Sequence, residues 1–306
     1  MAPEEGVGLN DLKIRVLIQE FITGVGILVG LGVFFAVVIA IAYKRLRVFE
    51  DPRIDEVEEM LPHANCGACG QPGCRAFAEA LVKGEATPSK CTVSSAEGVE
   101  RIANYLGVDA GSEEKRVARL LCAGGKNEAH NLADYRGGLR TCRGESVVTG
   151  GIKSCTWGCL GLGDCVEVCN FDALYMNEDG LPTVIADKCT ACGDCVRICP
   201  KGLFEIMPLS QKLVVQCKSL LEGDLAESKC SVACTACGRC VADSVPGVIE
   251  IKNNLAVVNY DLNELTKPEA IRRCPTGAIV WLEGQQFAGS AQSELPVGRV
   301  ERYENY

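Results

Sequence analysis

The longest apolar run in the chain lies over 21–43, FITGVGILVGLGVFFAVVIAIAY, without a single charge. At the helical rise per residue this run is long enough to cross a bilayer core, and it predicts one spanning helix. Gly24, Gly26, Gly30 and Gly32 would weaken a soluble helix, whereas in lipid such small residues let a neighbouring helix approach closely. Ala40-Ile41-Ala42 resembles a leader-peptide cleavage site, but the run is too long for a leader and Lys44, Arg45 and Arg47 follow at once, as in a stop-transfer anchor. Those charges place the rest of the chain on the cytoplasmic side of the inner (plasma) membrane, with Lys13 and Arg15 on the other flank keeping the bias small.

Beyond the anchor the apolar periodicity is short and repeatedly interrupted. Residues 54–61 and the FAEALVKGE segment carry helical spacing, while FDALYMNEDGLPTVIADKC and GVIEIKNNLAVVNY each predict a strand–turn–strand. The expected architecture is α+β: a membrane anchor (1–47), a small helical domain (48–110), a connecting segment (111–152), two similar modules (153–208 and 209–284), and a loosely ordered tail (285–306). None of these segments is long enough to rest on a large apolar core, so something other than apolar burial must share in their folding.

Composition points to what that is. The chain has 20 cysteines and two histidines among 306 residues, a proportion that favours all-thiolate metal sites over mixed Cys/His zinc modules. Disulfide scaffolds of comparable cysteine content are short secreted chains, unlike this one. The net charge of −9 comes without any basic stripe, which argues against a nucleic-acid partner.

The cysteines fall in groups. Cys66, Cys69, Cys74 and Cys91 are spaced C-x2-C-x4-C-x16-C with glycines between, which suits a cubane better than the paired knuckles of a structural zinc site. CTACGDCVRICP over 189–200 has the C-x2-C-x2-C-x3-C-P form of a bacterial ferredoxin, whose last cysteine crosses to a second cluster. Its partner lies upstream as Cys155, Cys159, Cys165 and Cys169. The crossed assignment gives Cys169, Cys189, Cys192 and Cys195 to one cluster and Cys159, Cys165 and Cys199 to the other. Leu162 stands where a fourth ligand would be expected; Cys155 is the nearest substitute, with Cys122 and Cys142 as alternatives. Residues 230–280 repeat the pattern, but Ser244 and the absence of cysteine between Cys240 and Cys274 remove one whole ligand set and keep Cys234, Cys237, Cys240 and Cys274 for the other. About four [4Fe–4S] clusters are expected in all. Cys217 and Cys230 are left over, although Cys230 precedes Cys234 by the spacing that separates Cys155 from Cys159.

The order of these features, with DPRIDEVEEMLPHANCGACGQPGCRAFAEAL, SCTWGCLGLGDCVEVCNFDAL and CTACGDCVRICPKGL, resembles the B subunit of the Rnf complex over nearly the whole chain. That resemblance implies one component of a membrane-bound, ion-translocating ferredoxin:NAD+ oxidoreductase. It would relay electrons from soluble ferredoxin, next to other membrane subunits in the lipid bilayer, with no catalytic acid, base or nucleophile of its own. No GxGxxG follows a predicted strand, so flavin and nicotinamide are expected on partner subunits. Lys201, Lys212 and Lys218 are candidates for a basic ferredoxin-docking patch, the other reading of these lysines being an ordinary solvated face. Two rival readings are a non-redox cluster or zinc scaffold and the relay component of another membrane oxidoreductase.

Overall fold

The computed structural model describes residues 9–46, 51–133 and 140–287, and the chain forms two compact units, Met1–Arg53 and Ile54–Tyr306. Helix α1 (Leu9–Leu46) contains the expected span and extends it towards the N-terminus. Among the described residues it is the one helix long and apolar enough to cross a membrane, over Ile18–Leu46. Its apolar side chains are uncovered, Phe21 at 74% and Leu28 at 71% exposure. Water would not tolerate so large a contiguous apolar surface.

The second unit begins with helices α2 (Arg53–Met60), α3 (Cys74–Val82) and α4 (Ala96–Leu106). Ile54, Val57, Phe77, Leu81 and Ile102 recur at helical spacing and close over one another as a small core. Arg75 on α3 reaches Asp55 at 2.9 Å and Glu58 at 2.7 Å on α2, holding the two helices together across their polar side. Helix α4 starts where Ser95 accepts the Gly98 amide and ends on Gly107 at φ 68°, a left-handed position that suits glycine.

Next come strand β1 (Arg116–Leu120), α5 (Cys142–Val147), α6 (Asp164–Glu167), β2 (Leu174–Met176), β3 (Pro182–Val184), α7 (Asp194–Ile198) and β4 (Phe204–Pro208). Segment 111–152, expected as a connector, is therefore part of the first module. β1 pairs antiparallel with β4, Leu120 opposite Phe204, and the expected hairpin β2–β3 lies between them in sequence. The same wiring returns with β5 (Leu213–Val215), α8 (Gly223–Lys229), α9 (Arg239–Ala242), β6 (Ile249–Lys252), β7 (Leu255–Val258) and β8 (Ile279–Trp281). β5 pairs with β8 and β6 with β7, the latter through Asn253 and Asn254, both at positive φ as a tight two-residue hairpin turn requires. One hydrogen bond fixes the equivalence of the two modules: Leu121 N–H donates to Leu203 O in the first and Gln216 N–H to Ala278 O in the second, each at 2.7 Å.

In the second module the segment without cysteines folds as two 3-10 turns, Tyr260–Leu265 and Pro268–Ile271. Val245, Leu262 and Ile271 pack from this region against the module's core, so apolar side chains fill part of the module that carries cysteine ligands in the first. Of the expected tail, 285–287 is tied to the first module and 288–306 lies outside the described residues. Gln286 is buried, and its carboxamide accepts from Leu120 N–H at 3.0 Å and donates to Leu120 O at 2.7 Å. That side chain completes the free edge of β1 as a neighbouring strand would. Gln286→Leu should leave both Leu120 groups unpaired at a cost of about 2–4 kcal/mol and speed hydrogen exchange across 116–120; unchanged exchange there would show that the edge does not depend on it.

Candidate metal centres

Three spaces of similar size in the second unit are each walled by four cysteines. Cys66, Cys69, Cys74 and Cys91 wall the first (site 1), Cys169, Cys189, Cys192 and Cys195 the second (site 2), and Cys142, Cys159, Cys165 and Cys199 the third (site 3). The remaining walls are mainly apolar, with Phe77 at site 1, Phe171, Leu174 and Ile206 at site 2, and Leu120, Leu203 and Phe204 at site 3. A fourth set gathers in the second module, where the Cys240 thiol lies within electrostatic reach of Cys234, Cys237 and Cys274 (site 4).

The loops of sites 2, 3 and 4 share one backbone device. Two residues after the first cysteine of each loop the chain is left-handed, at Gly161, Ala191 and Ala236, and two residues further on it is left-handed again, at Gly163, Gly193 and Gly238. Each of the latter glycines then opens a short helix, α6, α7 or α9, that presents Cys165, Cys195 or Cys240. Such turns point successive amides inward as a concave anion nest. Ala191 and Ala236 hold a conformation that costs a non-glycine residue about 1–2 kcal/mol, strain of the kind found at functional sites.

Site 3 departs from the expected ligand set. Cys155 is absent from its lining, and the place left by Leu162 is taken by Cys142. Asp164, itself buried, accepts the amides of Cys142 at 2.9 Å and Arg143 at 3.2 Å and so pins the start of α5 against the site, while Thr141 caps the same helix by accepting from Gly144. The amide of Leu162 faces the Cys142 sulfur. Sequence spacing could not reveal this, because Cys142 arrives from outside the motif on a separate helix.

Burial pushes the thiols up: Cys142 to about 11, Cys195 to about 12 and Cys240 to about 11, in each case with neighbouring thiols adding to the effect. Uncompensated thiolates do not belong in such surroundings. A cationic core reverses the balance. Among the described residues no group of three or more Cys, His, Asp or Glu side chains converges closely enough for a single metal ion. The sulfurs stand around spaces rather than around a point, and amide or hydroxyl donors face several of them: Ala118 N–H to Cys189 Sγ at 3.5 Å and Ser94 Oγ to Cys91 Sγ at 3.2 Å. Four thiols, an apolar wall and inward donors fit a [4Fe–4S] core and do not fit mononuclear zinc.

The three candidate docking lysines differ in setting, Lys212 being exposed and Lys201 and Lys218 half-buried. Lys201 is half-buried and donates to the carbonyls of Gly150 and Thr156, and Lys212 lies 6.0 Å from the ring centre of Trp281. The exposed cysteine among the twenty is Cys237, at the edge of site 4 and followed closely by the exposed Arg239.

Fold and thiol sets together define a multicentre iron–sulfur protein built on ferredoxin-like modules. A family model described as a putative Fe-S cluster matches residues 61–93, and one described as a 4Fe-4S dicluster domain matches 154–203. The chain is 41% identical to the B subunit of the Na(+)-translocating ferredoxin:NAD(+) oxidoreductase complex of Acetobacterium woodii, covering 86% of this chain and 78% of that one. It is 37% identical to the B subunit of the proton-translocating ferredoxin:NAD(+) oxidoreductase complex of Clostridium ljungdahlii, covering 81% and 88%. It is also 37% identical to the B subunit of the ion-translocating oxidoreductase complex of Methanosarcina acetivorans, covering 78% and 90%. The chain belongs to the family of B subunits of ion-translocating (Rnf) oxidoreductase complexes.

The role of Asp164 can be tested apart from any redox activity. Asp164→Ala strands two buried amides at about 1–3 kcal/mol each and should release α5, so that Cys142 in the chain purified without oxygen or chelator is alkylated faster than in the wild type. Equal labelling rates would show that Asp164 does not hold Cys142 in place.

Proposed function

We propose that this chain relays electrons from reduced ferredoxin towards NAD+ as the B subunit of a membrane-bound, ion-translocating complex. Its ligand sets are Cys66, Cys69, Cys74 and Cys91; Cys169, Cys189, Cys192 and Cys195; Cys142, Cys159, Cys165 and Cys199; and Cys234, Cys237, Cys240 and Cys274. The observation that carries this reading is that sites 1, 2 and 3 adjoin one another. Thr92, next to Cys91 of site 1, donates through Oγ1 to Thr190 O in the site 2 loop at 2.7 Å. Cys169 and Cys199 cross between the two motifs, and the Cys165 thiol of site 3 lies within electrostatic reach of Cys195 of site 2.

When bound, the clusters supply one-electron transfer at low potential, so no side chain has to act as acid, base or nucleophile. The residues of this chain set position and environment. The cysteines fix each centre on a short helix and a rigid turn, the apolar walls keep water out, and inward amides stabilise the negative charge that thiolate ligation brings. Helix α1 would span the lipid bilayer of the plasma membrane with the Lys44 and Arg45 end in the cytoplasm, where soluble ferredoxin is found.

The exposed Cys237 makes the edge of site 4 the place for exchange with a soluble donor. Arg239 beside it gives an acidic ferredoxin a local attraction that the net charge of −9 would otherwise oppose.

With the purified complex, reduced ferredoxin should reduce the clusters of this chain, seen by EPR, and NADH should appear. Arg239→Glu should raise KM for ferredoxin several-fold and leave kcat at saturation nearly unchanged. A colourless, zinc-loaded chain, or clusters that ferredoxin leaves oxidised, would refute the relay and favour a scaffold; an unaltered KM would remove Arg239 from docking.

A further inference from the structure

Four cysteines remain once sites 1 to 4 are assigned: Cys122, Cys155, Cys217 and Cys230. They do not scatter. Each module contributes the same two positions. Cys122 and Cys217 follow the ends of β1 and β5 by two residues, and Cys155 and Cys230 precede the first site cysteines of their modules, Cys159 and Cys234, by four. Unused thiols would have no reason to recur in matched places of two modules that differ in the rest of their ligands.

The structure brings the two pairs together. Ala123 N–H donates to Gln216 O at 3.1 Å, which sets Cys122 beside Cys217, and Ser154 Oγ donates to Lys229 O at 2.7 Å, which sets Cys155 beside Cys230. Bare backbone at Gly124 separates sulfurs from opposite modules: a Cβ there would stand 2.9 Å from Cys230 Sγ and 3.8 Å from Cys122 Sγ. All four side chains are buried, at 6% to 9% exposure. Backbone amides face the sulfurs, from Cys159 to Cys122 Sγ at 3.4 Å and from Ser219 to Cys217 Sγ at 3.4 Å.

Lys153 supplies a further observation. It is buried, and its ammonium donates to the carbonyls of Gly124 and Cys159, yet no carboxylate pairs with it among the described residues. A buried cation requires a compensating anion. Thiolates around an iron–sulfur core supply one, and burial together with crowding by the other three thiols would otherwise keep Cys230 protonated.

We propose that Cys122, Cys155, Cys217 and Cys230 hold a fifth [4Fe–4S] cluster at the junction of the two modules, an inference that rests on the cluster chemistry proposed for the other sixteen cysteines. Its neighbours are ligands of the flanking sites. The amide of Cys159 in site 3 faces Cys122 Sγ, and that of Cys234 in site 4 faces Cys217. The fifth centre would join two otherwise separate halves of the relay. One electron arrives from the reduced cluster on one side and leaves to the oxidised cluster on the other, and no bond is made or broken.

The test is the cofactor stoichiometry of the full-length chain, purified without oxygen, by iron and acid-labile sulfide analysis and by native mass spectrometry. Five cluster masses and about 20 iron per chain are expected, against about 16 if these thiols are idle. Cys217→Ser and, separately, Cys122→Ala should each lose about 4 iron and one cluster mass with the other four retained; the wild-type count decides the matter even if a variant does not fold. Four cluster masses in the wild type would overturn the fifth site alone. A wild-type chain without iron would overturn the cluster reading as a whole.

Discussion

A thiol buried in an apolar pocket is a poor acid, and several crowded together are poorer still. Everything in the second unit follows from placing cysteines where only a cationic core makes their ionised form favourable. The strands are three to five residues long and the helices that carry the thiols of sites 2 to 4 four to six, too short to hold themselves together. The buried residues of the two modules include the cysteines themselves, packed with Leu120, Leu203 and Phe204 in one and with Leu213, Val248 and Ile249 in the other. Removing the metal would therefore remove part of the core along with the ligand bonds.

The two modules show what that constraint permits. Both keep the pairing of first strand with last and the hairpin between, and both keep the closing Cys-Pro that completes one site. The second has given up a complete ligand set rather than scattered members of two. Where the first module has Cys189, Cys192 and Cys195, the second has 3-10 turns backed by Leu262 and Ile271. Losing three of four ligands would strand the remaining thiol in a cavity, whereas losing all four lets apolar side chains take part of the space.

Much of this is legible in the sequence because it is local. The spanning helix, α2, both hairpins and the motif of Cys189, Cys192, Cys195 and Cys199 each announce themselves within a short stretch of chain. What escapes a sequence reading depends on contacts between distant segments. β1 is five residues with no partner nearby, and only its pairing with β4, far along the chain, makes it a strand. Cys142 reaches site 3 through the grip of Asp164 on a helix start, which no spacing rule encodes. Cys155 is the thiol nearest in sequence to the missing ligand, yet its surroundings are Lys153 and Cys122. Lys201 is one of the three candidate docking charges, and its carbonyl partners are visible only in the fold. The match between Cys155 and Cys230 is plain in the spacing, but the matching of Cys122 with Cys217 needs the strands.

The most direct measurement is the iron anomalous difference density of the full-length chain, collected at the iron edge and compared with the zinc edge. Multi-iron density is predicted inside each of the four sites, with Cys142 rather than Cys155 bound at site 3. Single-ion density at the zinc edge, or sites without iron, would contradict it.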